Sequence, residues 1–167
     1  MSLLPSLLPL DQLSETAAIT QIMRLNELSL RYGLTLSHSE ALQLVQSRND
    51  VLQAIGRIEV GSATLGKLIS AFCDSAFINQ QEYAEILHQL LEIFYYMKNE
   101  TLDQISDDEL IELMKYYYEI RCKGSLELLQ GREMEQMARN IRYGVENFAE
   151  LGESHCEDLD EPEEGEY

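Results

Sequence analysis

One short pattern, repeated three times, does most to limit what this chain can fold into. The segments LSHSEA, INQQEY and ISDDEL each carry a Ser or Asn three residues before a Glu, at Ser37, Asn79 and Ser106. In such a capping box, the Ser or Asn side chain accepts a hydrogen bond from a free backbone N–H, and the Glu side chain bonds back to the capping residue. The pattern predicts that a helix begins just after each of these residues.

The other helices follow from apolar spacing and from the positions of glycine. The chain is rich in helix-forming residues, and its 167 residues include only 9 glycines and 3 prolines, a balance that favours helix. We predict an all-α fold, a single bundle of six or seven helices. A short two-stranded β-ribbon that pairs residues 33–36 with residues 57–61 is left open. The predicted helices cover residues 14–32, 38–55, 62–73, 80–98, 107–121 and a last stretch from about residue 132.

Charge and composition divide the chain into three parts. The formal net charge is −18, yet residues 146–167 hold ten acidic and no basic side chains, which leaves 20 acidic and 12 basic residues in the rest. We predict an apolar, proline-containing arm over residues 1–13, a helical domain over 14–150 and a disordered acidic tail over 151–167. Because an acidic surface repels phosphate backbones and anionic lipids, we expect neither a nucleic acid nor a membrane as partner.

Cysteine usage and the start of the chain indicate a cellular location. Cys73, Cys122 and Cys156 are scattered and form no CxxC pair, which suits a reducing compartment. The start MSLLPSLLPL lacks the basic residues of a secretory signal, and no apolar run is long enough to span a bilayer. We therefore expect a cytoplasmic protein.

The sequence displays no metal site and no catalytic site. Glu85 and His88 have the E-x-x-H spacing of di-iron bundles, but at about 100° per residue neither faces the apolar stripe of its helix. The acidic run 107–109 falls in a first helical turn, where carboxylates complement the helix dipole. Neither a G-x-S-x-G motif nor a phosphate-binding glycine loop occurs. We predict no catalytic residue, no metal ligand and no cofactor, and the sequence leans against an enzyme without deciding the matter.

Five apolar or aromatic side chains point away from the predicted core. On the first helix, Leu25, Leu28 and Tyr32 form a second apolar side, while Tyr96 and Tyr116 lie opposite the apolar stripes of their helices. Exposed aromatic residues are enriched at protein interfaces. We predict these five as candidate interface residues, with plain surface positions or packing against another helix as the alternatives.

Two polar side chains fall within apolar stripes instead. Arg48 lies in the middle of the stripe on the second helix, and Asn26 lies on the apolar face of the first. A buried unpaired guanidinium costs several kcal/mol. Either the Arg48 stem carries its charge to the edge of the core, or the charge meets a carboxylate such as Glu59 or Asp74. A ligand pocket around Arg48 and Asn26 is the corresponding functional hypothesis.

Basic residues concentrate just before the acidic tail. Six of the twelve Lys and Arg residues lie between Lys115 and Arg142. One hypothesis is that the tail folds over the region from Arg121 to Arg142 and screens it from acidic partners. Deletion of residues 153–167 is then expected to raise the affinity for polyanions.

Four segments resemble an uncharacterised domain-of-unknown-function family of small helical proteins from Gram-positive bacteria. They are LISAFCDS (68–75), EIFYYMKNETLDQISDDELIELMKYYYE (92–119), RCKGSLELL (121–129) and RNIRYG (139–144). The resemblance covers roughly residues 15–145. It implies a bacterial, cytosolic helical protein and carries no catalytic residue over, because the family has no assigned activity.

These observations favour a non-enzymatic protein that binds a protein partner or forms a homo-oligomer. The outward tyrosines, the two-sided first helix and the apolar arm motivate that prediction. The alternative is a small-ligand-binding protein or enzyme with its pocket at Arg48 and Asn26. An acidic mimic of nucleic acid ranks last, because the excess charge lies in the tail and not on a predicted helix face.

Overall fold

The computed structural model describes residues 10–59 and 61–144, with only the backbone described for residues 10–13. The all-α prediction is confirmed, and no strand occurs in those two ranges. Residues 1–9 of the predicted arm and all of the predicted tail lie outside the described residues, so these boundaries stay predictions. The helices are α1 (Leu10–Arg24), α2 (Asn26–Ser29), α3 (His38–Ala54), α4 (Ala63–Phe72), α5 (Tyr83–Glu100), α6 (Asp107–Tyr116), α7 (Leu126–Leu128) and α8 (Met134–Arg142). A 3₁₀ turn (Leu30–Tyr32) follows α2, and a π-helical turn (Tyr117–Arg121) follows α6. Between α7 and α8 the segment Leu129–Glu133 contains a kink at Gly131, whose backbone is not helical.

The predicted capping residues make the predicted bonds. Ser37 Oγ accepts a hydrogen bond from the N–H of Glu40 at 3.1 Å, and Ser106 Oγ accepts one from the N–H of Glu109 at 3.2 Å. Each serine has extended backbone and directly precedes its helix, as a capping residue should. Asn79 caps in the same way, but residues 79–82 form a separate turn and α5 begins only at Tyr83.

The prediction of one continuous helix over residues 14–32 is wrong. α1 begins earlier, at Leu10, and ends at Arg24, after which Leu25 interrupts the helix and α2 restarts at Asn26. The break lies beside Asn26, whose side chain bonds to the distant residue Leu36. Neither Gly nor Pro marks this break, so no local signal in the sequence indicates it.

α5 is the central helix of the bundle. It packs against α3, α4, α6 and α8, and the predicted apolar stripe from Tyr83 to Met97 is buried. Complete burial of a large apolar side chain contributes roughly 1.5–3 kcal/mol, so this helix anchors the core. No helix in the described ranges is long and apolar enough to cross a bilayer. The most deeply buried residues of α5 are Tyr83, Leu87, Leu90, Leu91, Phe94 and Tyr95.

Side-chain amides, and not a partner strand, hold the extended segment after the first helices. Asn26 accepts from the backbone N–H of Leu36 at 2.8 Å and donates to its carbonyl at 2.9 Å. The Gln80 side-chain amide forms the same pair of hydrogen bonds with the backbone of Thr35, at 2.8 and 2.9 Å. The ribbon that the sequence left open is not formed within the described residues, because these amides take the backbone bonds that a second strand would have made.

Candidate interaction surfaces and a closed polar network

An open groove lies between α2, α4 and α6, and we call it the α4 groove. Its apolar lining comes from Leu25, Ala63, Gly66, Ala71 and Ile111, and its volume is about 620 Å³. The groove is concave because α4 turns small residues toward it. A Cβ at Gly66 would already lie 3.6 Å from Leu25 Cδ1, so a larger side chain at this position would fill the floor.

Charged side chains form the rim of the α4 groove. Lys67 Nζ and Asp108 Oδ1 lie 2.9 Å apart across it, and both side chains are largely exposed. The lining also includes Glu112 and Ser70, and these too are exposed. An apolar floor with a polar rim is the usual composition of a surface that binds another protein.

One of the predicted interface residues, Leu25, is part of the groove lining. Leu28 is half-buried one helical turn further along. Tyr32 is 52% exposed and neighbours the exposed Leu30 in the 3₁₀ turn. Tyr116 is 45% exposed and follows Glu112, a lining residue, by one turn of α6.

The fifth predicted interface residue, Tyr96, borders a second depression, the α5–α8 trench. Tyr96 is 50% exposed, and it lines two adjoining cavities of about 260 and 140 Å³ between α5 and α8. Met97 contributes to both cavities and Ile93 to the larger one. The interface role of all five residues stays a prediction; Leu25 lines the α4 groove and Tyr96 lines the trench.

Arg48 is buried, at 5% exposure, and its guanidinium forms hydrogen bonds with other groups of the same chain. Its guanidinium donates to the carbonyl of Gly61 through Nη1 and to Asn49 Oδ1 through Nε and Nη2. Neither carboxylate named from the sequence forms an ion pair with it in the described chain, since Asp74 pairs with Lys115 and Glu59 accepts from Tyr95. Backbone and amide oxygens thus take the place of the carboxylate that was one of the two alternatives for Arg48.

The predicted ligand-binding role of Arg48 and Asn26 stays a prediction. The two polar groups of the Asn26 amide bond to Leu36, and the Arg48 donors bond to Gly61 and Asn49. These bonds give both side chains a structural role, because they satisfy groups that would otherwise be costly to bury.

A network of ion pairs around the buried Lys98, which the sequence interpretation missed, joins the ends of α4, α5 and α6. Lys98 is only 6% exposed, and its ammonium lies 2.7 Å from Asp107 Oδ1 and donates to the Ile105 carbonyl at 2.8 Å. Thr64 donates to the other Asp107 oxygen at 3.1 Å. Burial by itself would raise the pKa of Asp107, but the Lys98 hydrogen bond and charge outweigh it and hold that pKa below its ordinary value.

The same network ties the loop after α3 to the loop after α5. Arg57 donates to both carboxylate oxygens of Asp103, one of them at 3.0 Å, and this bond lowers the pKa of Asp103. Leu102 and Asp103 both have positive φ, at 54° and 58°, a conformation that costs a non-glycine residue of order 1–3 kcal/mol. The ion pairs offset that strain by holding Asp103 in place.

Tyr95 completes this polar end of the bundle. Its side chain is fully buried and donates a hydrogen bond of 2.5 Å to Glu59 Oε2. Burial, reinforced by the hydrogen bond and the negative charge of Glu59, raises the pKa of Tyr95 well above its ordinary value. The tyrosine therefore stays protonated as a donor, and its role here is to fix the 57–59 loop.

One feature of the sequence could have revealed Lys98. It follows Leu91 by seven residues and Phe94 by four, so it continues the buried stripe of α5. Tyr95 and Glu59 are 36 positions apart, and no local pattern links them. A charged residue at a stripe position was thus a usable sign of a buried ion pair, whereas the Tyr95–Glu59 contact depends on the complete fold.

The E-x-x-H pair lies away from these features. Glu85 is exposed and accepts a hydrogen bond from Gln89 at 3.2 Å, while His88 is half-buried. Within residues 10–59 and 61–144, no group of three or more His, Cys, Asp or Glu side chains is arranged to hold a metal ion. Cys73 and Cys122 are buried free thiols, and burial raises the pKa of each, which makes them weak nucleophiles.

Comparison with known proteins adds a family but no activity. A model of a family of unknown function, DUF6323, matches residues 21–147. No curated protein and no solved structure matches the chain.

Proposed function

We propose, from the premise that the chain belongs to DUF6323, a family of unknown function, that it acts as a protein-binding module without enzymatic activity. In this proposal the α4 groove holds an amphipathic helix of a partner protein. The observation that carries the proposal is the open, apolar, small-residue floor of the groove, beside a polar network whose charges are already paired with each other.

The shape of the groove supports a helix as the occupant. Ala63, Gly66 and Ser70 follow one another at helical spacing along the exposed side of α4, and such small residues let a second helix approach closely. Leu25 and Ile111 provide apolar walls on either side. Amphipathic helices that bind in apolar grooves insert side chains at i, i+3, i+4 and i+7, and the floor of α4 has this periodicity.

The charge of the rim defines the chemistry of the partner. Lys67 and Asp108 neutralise each other, which leaves the exposed Glu112 as the negative group of the lining. The net charge of the whole chain is also strongly negative, so association with a basic segment is favoured at long range. We therefore propose a partner helix with a small, apolar face and Lys or Arg along one flank.

A photoreactive residue placed at Ser70, in chain produced in its native host, tests this proposal. We expect irradiation to give one protein adduct from Ser70 and none from the same residue at Asp50, an exposed position on α3. Mass spectrometry of the adduct is expected to place the link in a basic amphipathic helix, and Glu112→Lys should reduce the yield. Equal adducts from both positions, or no adduct from Ser70, would contradict the proposal.

Self-association is the competing occupant. If the adduct from Ser70 is a second copy of this chain, and light scattering gives a dimer mass at the same concentration, the partner-helix version is replaced by a homodimer. The exposed Tyr32 and Leu30, which follow the groove residue Leu25 along the chain, would then be the side chains expected in the contact between copies.

A further inference from the structure

We infer that the α5–α8 trench is a docking site for the chain's own residues 145–151, which hold the following acidic segment beside α8. The trench is separate from the α4 groove, because the two lie between different helices. The proposed function therefore leaves the trench without an occupant.

The exit point of the chain supports this occupant. α8 ends at Arg142, and the N–H groups of Tyr143 and Gly144 bond back to the carbonyls of Arg139 and Ile141. Gly144 has φ +72°, the left-handed conformation with which a glycine ends a helix and lets the chain change direction. Gly144, the last described residue, thus follows by two positions Arg142, which lines the near end of the trench.

The sequence of the segment matches the apolar part of the trench. Val145, Phe148 and Leu151 are spaced by three residues, so they can share one face. The trench offers the half-exposed ring of Tyr96, whereas Ile93 and Met97, which also line it, are buried. The Tyr96 ring is an aromatic surface that Phe148 can cover.

The length of the segment is also sufficient. From Arg142 back to Glu135, the trench follows seven residues of α8, or about 10 Å. Seven residues span about 10 Å as a helix and up to roughly 24 Å when extended. Phe148, four residues after Gly144, can therefore reach the middle of the trench, where Tyr96 contributes to both cavities.

The charges that line the trench determine which part of the C-terminal region can bind in it. Arg139 and Arg142 line the near end of the trench, together with Glu100 and Glu135, while Glu92 and Glu135 line the far end. Residues 145–151 carry only two carboxylates, at positions 146 and 150, whereas residues 153–167 carry eight. The far end of the trench repels the acidic segment, so the apolar residues enter and residues 153–167 stay outside, near Arg139.

A single tryptophan reports the docking, because the natural chain has none. Phe148→Trp in the full-length chain places the reporter in the proposed docking segment, and Leu159→Trp is the matched control beyond it. If the undocked form is a minor state of about 10% or less, acrylamide quenches the Phe148→Trp reporter about tenfold less than the Leu159→Trp reporter. Equal quenching of the two reporters would overturn the inference.

A second pair of variants locates the docking site. Added to the Phe148→Trp chain, Tyr96→Asp is expected to raise quenching to the level of the Leu159→Trp control. Tyr116→Asp alters a tyrosine of similar exposure on α6 and should leave quenching unchanged. Protection that survives Tyr96→Asp, or that disappears on dilution, would overturn docking within one chain at the trench.

Discussion

The polar end of the bundle and the α4 groove put similar residue types to opposite uses. At the polar end, Lys98, Asp107 and Asp103 are linked with Arg57 in a chain of ion pairs. On the rim of the groove, Lys67 and Asp108 are also paired but are exposed to solvent. The buried Lys98 thus serves the architecture by holding partly exposed carboxylates, while the accessible groove is apolar with a charged border.

The largest expected effect tests the buried half of this comparison. Lys98→Met leaves the Asp107 carboxylate and the Ile105 carbonyl without their partner. Since breaking a buried ion pair costs about 3–5 kcal/mol and Asp107 is partly exposed, we expect a loss of about 3 kcal/mol in the free energy of unfolding, measured with urea.

The matched substitution on the rim should behave differently. Lys67→Met removes an exposed ion pair that solvent screens, so we expect no measurable loss in the free energy of unfolding. Equal losses for the two lysine variants would show that the buried network is not what holds the loops together.

An intermediate effect is expected from the buried phenol. Tyr95→Phe removes the hydrogen bond to Glu59 and should lower the free energy of unfolding by about 1–2 kcal/mol. Tyr116→Phe, on the exposed side of α6, is the control and should leave it unchanged. If the Tyr95→Phe chain is as stable as the natural one, the Tyr95–Glu59 hydrogen bond does not contribute to the stability of the fold.

A smaller effect concerns acid. The folded-state pKa values of Asp103 and Asp107 are depressed by Arg57 and Lys98, so their stabilising contribution is complete above the unfolded-state pKa of about 3.9. It is lost as the pH falls through the folded-state values, because the unfolded chain then binds more protons. We expect urea unfolding to show that the natural chain and Lys98→Met differ less in free energy of unfolding at pH 3 than at pH 7. A difference that widens in acid would contradict this assignment of charges.

The smallest expected effect concerns the acidic tail and the exposed bases beside it. Deletion of residues 153–167 removes eight carboxylates, and Lys123, Arg132 and Arg139 are exposed bases that the tail is hypothesised to screen. We expect a modest gain in affinity for heparin at low salt, lost at high salt. Unchanged retention on a heparin column would remove the screening hypothesis and leave the rest of the account in place.

The sequence predicted those features that depend on neighbouring residues. The caps at Ser37 and Ser106 bond to residues three positions away, and the apolar residues of α5 recur every three or four positions. Both features could therefore be predicted from the sequence. The break at Leu25 could not, because the Asn26–Leu36 bonds beside it join residues ten positions apart.

The α4 groove shows the same limit more clearly. Leu25 was predicted as an exposed apolar residue from its helical position, but its contact with Gly66 depends on how α2 and α4 pack. Small residues on one side of a helix are compatible with close packing or with an open floor, and only tertiary structure distinguishes the two. The sequence therefore predicted candidate interface residues on the first helix, a prediction that stays untested, and could not show the groove that Leu25 lines.

The most direct test fills the groove and asks whether binding is lost while folding is kept. Ala63→Trp places a large ring at an exposed position on the groove floor, and Ala17→Trp adds the same ring at an exposed position on α1. With the photoreactive residue at Ser70, we predict that Ala63→Trp abolishes the protein adduct and Ala17→Trp preserves it. Both chains should unfold within about 0.5 kcal/mol of the natural one. An undiminished adduct in the folded Ala63→Trp chain would contradict the assignment of the α4 groove as the binding surface.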